Sequence, residues 1–212
     1  MDLTLSSLWE WTKLTVRAPA TASALVKAAK LPLEVSIMMI VLAGVVSGVT
    51  SGFLNYIMDP PPFVFSLGDG RAVTYELGGP FSFGITSVCL GLALAFSVSK
   101  IGTWMGGQGT LADIMSVTAV LQLALTVIYV IEAFARLAVP ILAFGISLFG
   151  IYVAVRGLGH AVKVAHDFKN MGRSAGVIAM ASFVSLIGVA IMLNLLGLTP
   201  EGVIGPVPEG AL

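Results

Sequence analysis

Apolar residues run almost unbroken through five stretches of this chain: Val35–Met58, Phe81–Val98, Ile114–Ile131, Leu137–Val155 and Ser174–Leu198. Each is close to or above the roughly 18 to 20 residues that carry a helix across a bilayer. The pattern predicts five membrane spans. In the first of them Gly44, Gly48 and Gly52 recur every fourth residue beside Ser47 and Ser51, so one helix face is almost without side chains. Helices in lipid gain little from burying apolar surface on each other, and a strip of small residues lets two backbones approach closely. The strip is therefore a packing face, either for another span of the same chain or for a second copy or partner.

Polar residues and helix breakers separate these stretches. In residues 1–32, Leu5, Leu8, Trp9, Trp11, Leu14 and Val16 alternate with Glu10, Lys13 and Arg17, and Pro19 opens a second short helix. The pattern predicts two amphipathic helices lying at the membrane interface, or a small soluble cap. In the loop 59–80, Pro60, Pro61 and Pro62 stop the first span. Alternating apolar residues around Gly68, Asp69 and Gly70 then predict a β-hairpin with an Asp-Gly turn, an irregular loop being the alternative. Thr110 and Asp113 form a capping pair ahead of the third span. Glu132 and Arg136, four apart, flank a short break before the fourth span, which carries Pro140 in its first turn. A basic loop, 156–173, precedes the last span, and a Pro/Gly-rich tail, 199–212, ends the chain.

Charge sets the expected orientation. Of 11 Lys and Arg residues, nine fall at the ends that share a side with the amino terminus (Lys13, Arg17, Lys27, Lys30, Lys100, Arg156, Lys163, Lys169 and Arg173); only Arg71 and Arg136 fall on the other. Basic residues stay on the cytoplasmic side. The amino terminus is thus expected inside, and the hairpin loop and carboxyl terminus extracytoplasmic. The location implied is a cell membrane, with the bacterial inner membrane preferred.

Composition agrees with a membrane chain: 57% of residues are hydrophobic and 10% charged, against about 25% charged in soluble domains. A net charge of zero argues against a nucleic-acid partner, which requires a basic face to neutralise phosphates. The single cysteine, Cys89, lies in an apolar run and reads as a small hydrophobe. There is no HExxH, no GxSxG, no Walker loop and no carboxylate pair inside a span, so no enzyme activity, cofactor or metal is expected. GGQG at Gly106–Gly109 reads as a turn.

Gln122, mid-span, needs a partner in hydrocarbon, either a neighbouring helix or a substrate. For a permease or channel, Gln122, Glu132, Arg136 and Asn194 are the candidate polar lining. His160 and His166 are six apart and form a poor chelating pair. Together with Arg156, Lys163, Lys169 and Arg173 they make the basic loop, which either sets topology against anionic headgroups or docks an acidic partner.

The order GGQGTLADIMSVTAV, a short-hinged pair of apolar helices, then IYVAVRGLGHAVKVAHDFKNMGRSAGVI resembles the Yip-one domain family of small five-span membrane proteins, over about Gly106 to Gly197. The features that carry it are Gly106 and Gly107, the exit of the fourth span at Tyr152 and Arg156, and the restart at Gly172–Ala175. The resemblance implies five spans and a cytosolic amino terminus. The chain lacks the acidic Leu-Tyr-Gly-Pro type of segment before its first span, and Val120–Ala124 reads VLQLA where a Tyr and a Pro are often found. The resemblance thus implies the fold, in the form of the bacterial branch, without the GTPase partner of trafficking members.

These readings converge on an all-α integral membrane protein, a bundle of five transmembrane helices with amino-terminal interfacial helices and an outer β-hairpin. The expected work is non-enzymatic: scaffolding, assembly or regulation of other membrane components, with the lipid bilayer and other membrane proteins, or further copies of the chain, as partners. A small-solute permease or channel is the alternative.

Overall fold

The computed structural model describes residues 5–60, 63–66, 71–75, 79–196 and 202–206. Among them are seven helices: α1 Leu5–Arg17, α2 Pro19–Ala29, α3 Leu33–Met58, α4 Pro80–Trp104, α5 Leu111–Ala138, α6 Pro140–Ala165 and α7 Met171–Leu195. The helices α3 to α7 are each long and apolar enough to cross a membrane. Their outward faces carry large apolar side chains such as Met38, Val49, Ile141 and Phe183, which suits a lipid surround and not water. The fold is that of a multi-pass membrane protein.

The hub is α5. In its most apolar window 67% of residues are buried, against 17% in α4 and α6. It packs on α3, α4 and α6, and both α1 and α2 lean on it as well. Its start is fixed by a reciprocal cap: the Thr110 Oγ1 accepts from the Asp113 amide at 3.2 Å, while the Asp113 carboxylate accepts from the Thr110 amide at 3.0 Å. Its end is set by Val139, extended, followed by Pro140 in the first turn of α6.

The glycine strip of α3 packs within the chain, on the first half of α4. A Cβ on Gly48 would stand 2.7 Å from the Pro80 carbonyl oxygen and 2.9 Å from the Gly84 Cα; Gly44 faces Val88 and Gly84, and Gly52 lies against the Pro80 ring. Glycine therefore meets glycine at the crossing. Ser51 is buried and hydrogen-bonds with Tyr129 of α5, whose ring stacks on Phe83 of α4, while Ser47 is half-buried. Two further hydroxyl pairs join helices: Ser36 with Ser116 at 3.0 Å and Ser185 with Ser97 at 3.1 Å.

The helices extend beyond the sequence-derived boundaries on the basic side of the bundle. α4 continues past Lys100 to Trp104, and α6 continues past Val155 to Ala165. The expected loop 156–173 is thus a correction: Arg156, His160 and Lys163 are helical, Arg173 lies in α7, and only the segment 166–170 links them. Charge marks where hydrocarbon ends, and a helix whose backbone bonds are internal need not end there. Gly157 does not break α6 because its bare Cα receives Leu121 of α5.

On the side away from the amino-terminal helices, β1 (Phe63–Ser66) and β2 (Arg71–Tyr75) pair antiparallel. The turn residues Gly68–Gly70 lie outside the described residues. A third strand, β3 (Gly202–Pro206), pairs antiparallel with the other edge of β2, Val73 opposite Ile204, giving the order β1-β2-β3. No strand was expected in the tail, so this is a second correction. Backbone pairing along β2 recruited a segment whose own composition, rich in glycine and proline, carries no strand pattern.

Replacing Gly48 by Leu forces α3 away from the Pro80–Gly84 backbone. We expect a loss of about 3 kcal/mol or more and a fall in thermal midpoint in mild detergent, whereas Val49→Leu on the lipid-facing side leaves the midpoint unchanged.

Candidate functional site

The basic side of the bundle holds the most organised polar structure among the described residues. Its centre is the link between α6 and α7. His166 ends α6, and Asp167 follows with φ +56°, a left-handed turn that reverses the chain. This turn drives the His166 side chain inward, where it is 1% exposed. It fills a hollow formed by three glycines: side chains at Gly102 at the end of α4 or at Gly107 of the following loop would collide with the imidazole, and one at Gly109 with the Ala165 carbonyl and the ring edge. Phe168 stacks on the ring at 5.2 Å. The Gln108 amide donates to the His166 carbonyl at 3.1 Å, and Gly107 donates to the Gly102 carbonyl at 2.8 Å across Gly106, whose φ is +86°. Two loops and the ends of α4 and α6 are thereby fastened as one piece.

Burial disfavours the charged form of the imidazole. Its Nε2 donates to the Val98 carbonyl at 3.1 Å, which leaves Nδ1 bare and without a partner. Burial lowers its pKa from the usual histidine value; the Val98 hydrogen bond opposes this, the nearby Lys27 ammonium adds to it, and the Asp113 and Asp167 carboxylates oppose it.

The amino-terminal helices are tied to the same place. Lys27 of α2 reaches Asp167 at 2.7 Å and the Val164 carbonyl at 3.1 Å, and Arg156 of α6 donates to the Val16 carbonyl at 3.2 Å. Ala22, Ser23 and Val26 of α2 and Thr12 and Thr15 of α1 are buried on this side. Around the assembly Arg17, Lys30, Lys169 and Arg173 are exposed, and none has an ion pair among the described residues. The result is a face of fixed cations, Lys163 half-buried at its edge.

The residues singled out from sequence separate into groups. Gly44, Gly48, Gly52 and Ser51 pack α3 against α4 and α5. Gln122 lies on Gly91 of α4 and reaches the Ser87 carbonyl at 3.4 Å. Glu132 and Arg136 pair with each other inside the last turns of α5, and Asn194 is exposed on α7; the proposed permease lining is not assembled. Arg156, Lys163, Lys169 and Arg173 share the basic face with the half-buried His160. His166 is corrected from surface contact to buried anchor. No group of three potential metal ligands occurs among the described residues.

Sequence reasoning missed Gly102, Gly107 and Gly109 as a cradle. Their spacing is a signal for close approach, but nothing local says that the approaching group is an imidazole sixty residues away.

Comparison with models of protein families, with curated proteins and with solved structures gave no match.

Because folding lowers the His166 pKa, its neutral form contributes stability in full above the unfolded value of about 6.5. That contribution is lost as the pH falls through the folded value. The thermal midpoint is expected to drop between pH 7 and pH 5, and His166→Gln to remove most of that slope. Gly107→Val, which fills the hollow, lowers the midpoint at every pH.

Proposed function

We propose that the chain is a non-enzymatic scaffold of the cell membrane that holds or assembles other membrane components through its basic face. The observation that carries this reading is the fastening of the amino-terminal helices, the α4–α5 loop and the α6–α7 link into one rigid body around His166. A charged loop that merely set topology would need no such construction. Here exposed cations are held at fixed positions, which lowers the ordering entropy of docking an acidic partner.

In this reading α1 and α2 lie at the cytoplasmic membrane surface, with Trp9 exposed towards the headgroups and Lys13 above its ring. The amino terminus is cytoplasmic, the strand segments and carboxyl terminus are extracytoplasmic, and the membrane is a bacterial inner membrane. Support comes from the charge asymmetry and from the odd number of apolar helices. Five helices of this length are also in keeping with the resemblance to the Yip-one family. The partners are the bilayer together with other membrane proteins or further copies of the chain; no nucleic acid is involved. A permease would need Gln122, Glu132, Arg136 and Asn194 to line one path; the pairing of Glu132 with Arg136 favours a structural role for those two.

Two measurements test the proposal. In a Cys89→Ala background, Lys169→Cys should be shielded from a membrane-impermeant maleimide in intact cells, and Asp59→Cys labelled; the reverse pattern overturns the orientation. Crosslinking in native membranes followed by isolation in mild detergent should recover a stoichiometric membrane partner or an oligomer. Lys169→Glu combined with Arg173→Glu should lower that recovery by about tenfold or more, as loss of two charge-assisted contacts implies. Recovery of monomer alone sinks the scaffold reading.

A further inference from the structure

A cleft of about 460 Å³ lies between α4, α5, α6 and α7, within the roughly 300–1,000 Å³ usual for small-molecule sites. Six of its thirteen lining residues are leucines. Among them are set the hydroxyls of Ser87, Thr118 and Ser182 and the carboxamide of Gln122. Among the described residues these hydroxyls have no hydrogen-bond partner, and the Gln122 amide makes one long contact of 3.4 Å, while its Oε1, also without a partner, is buried against Gly91 of α4. Polar groups without partners are costly in hydrocarbon. Three unpartnered hydroxyls and one weakly bonded amide along one cleft need an occupant that answers them.

The lining narrows the chemistry. Gln122 is eleven residues into α5 from Leu111 and level with Gly157 of α6, which receives the neighbouring Leu121, so the cleft lies towards the basic side of the bundle. An acyl chain would fill the volume but satisfy none of the polar groups, and no charged side chain lines the cleft to hold an ionised ligand. A second cleft, about 440 Å³ between α3 and α4, provides the contrast: beyond the Cys89 thiol its lining has no polar side chain.

We infer that the cleft between α4, α5, α6 and α7 binds an uncharged lipophile dissolved in the membrane, a long hydrocarbon body carrying one hydroxyl group, through Gln122, Ser87 and Ser182. The hydroxyl donates to a serine oxygen and accepts from a neighbouring hydroxyl or the Gln122 amide. The site is independent of the basic face, so scaffold and lipophile binding are tested separately.

The experiment uses the full chain in phosphatidylcholine nanodiscs with two photoactivatable probes, a diazirine-bearing hexadecanol and the matching diazirine-bearing hexadecane. Labelled residues are mapped by mass spectrometry. The alcohol should label the α4, α5 and α7 residues around Gln122 roughly fivefold more than the alkane, the ratio one ordinary hydrogen bond supports; at the α3–α4 cleft the two should label equally. Gln122→Leu and, separately, the smaller change Ser182→Ala should bring the alcohol down towards the alkane. Ala154→Phe, which fills the cleft from α6, should abolish labelling by both. Equal labelling by alcohol and alkane overturns the inference, as does alcohol labelling indifferent to both Gln122→Leu and Ser182→Ala. So does an unlabelled cleft, which would then hold water.

Discussion

Inside a bilayer the usual driving force for packing is missing, because a leucine is as well solvated by acyl chains as by another helix. This fold depends on close backbone approach in its place. Where α3 crosses α4, Gly48 sits on the Pro80 and Gly84 backbone with no side chain between, and Gly44 beside it admits the Val88 side chain. Dispersion is short-ranged, so its gain is largest where the atoms of two main chains touch directly. Hydroxyl pairs such as Ser36 with Ser116 add direction to contacts that would otherwise permit sliding. The large apolar residues are turned outward, an inversion of the soluble plan, and α5 alone is surrounded on most sides by protein.

The same device operates at the basic end, with a side chain in place of a helix. Three glycines remove their own side chains to admit one imidazole, which ties α4, the following loop and the start of the α6–α7 link. Lys27 then reaches across to the exposed carboxylate beside it. The amino-terminal helices thus belong to the folded body and do not dangle from it. The order of events in space runs from an interior contact, His166, to a surface arrangement of cations.

Much of the bundle was legible in the sequence, because a window of apolar residues long enough to cross hydrocarbon has few other uses. The Thr110–Asp113 cap and Pro140 were legible too, since each is a local backbone requirement. The ends of α4 and α6 were not. Lys100, Arg156 and Lys163 mark the edge of hydrocarbon, and helices continue beyond it wherever the residues still favour them, as Ala154 to Ala165 do. The glycine strip was legible as a packing face, but its partner was not, for Gly84 stands alone in its own segment. His166 was hardest: its loop is strongly basic, and charge density normally means water. Burial there depends on a left-handed Asp167 and on glycines far away in the chain, a pairing that periodicity cannot express.

The sheet has a consequence for how the molecule is made. Its central strand, β2, lies between the first and second spans, while the strand that completes it, β3, follows the last. During synthesis β2 therefore waits with one edge unpaired until all five helices have entered the membrane. An unpaired edge offers its amides and carbonyls to any extended segment nearby. Closing it with residues 202–206 ties the segment after the last span to the loop after the first: without that segment the bundle remains, yet the β2 edge is left open. Loss of the segment after α7 would thus be visible on the surface as a row of free backbone amides and carbonyls.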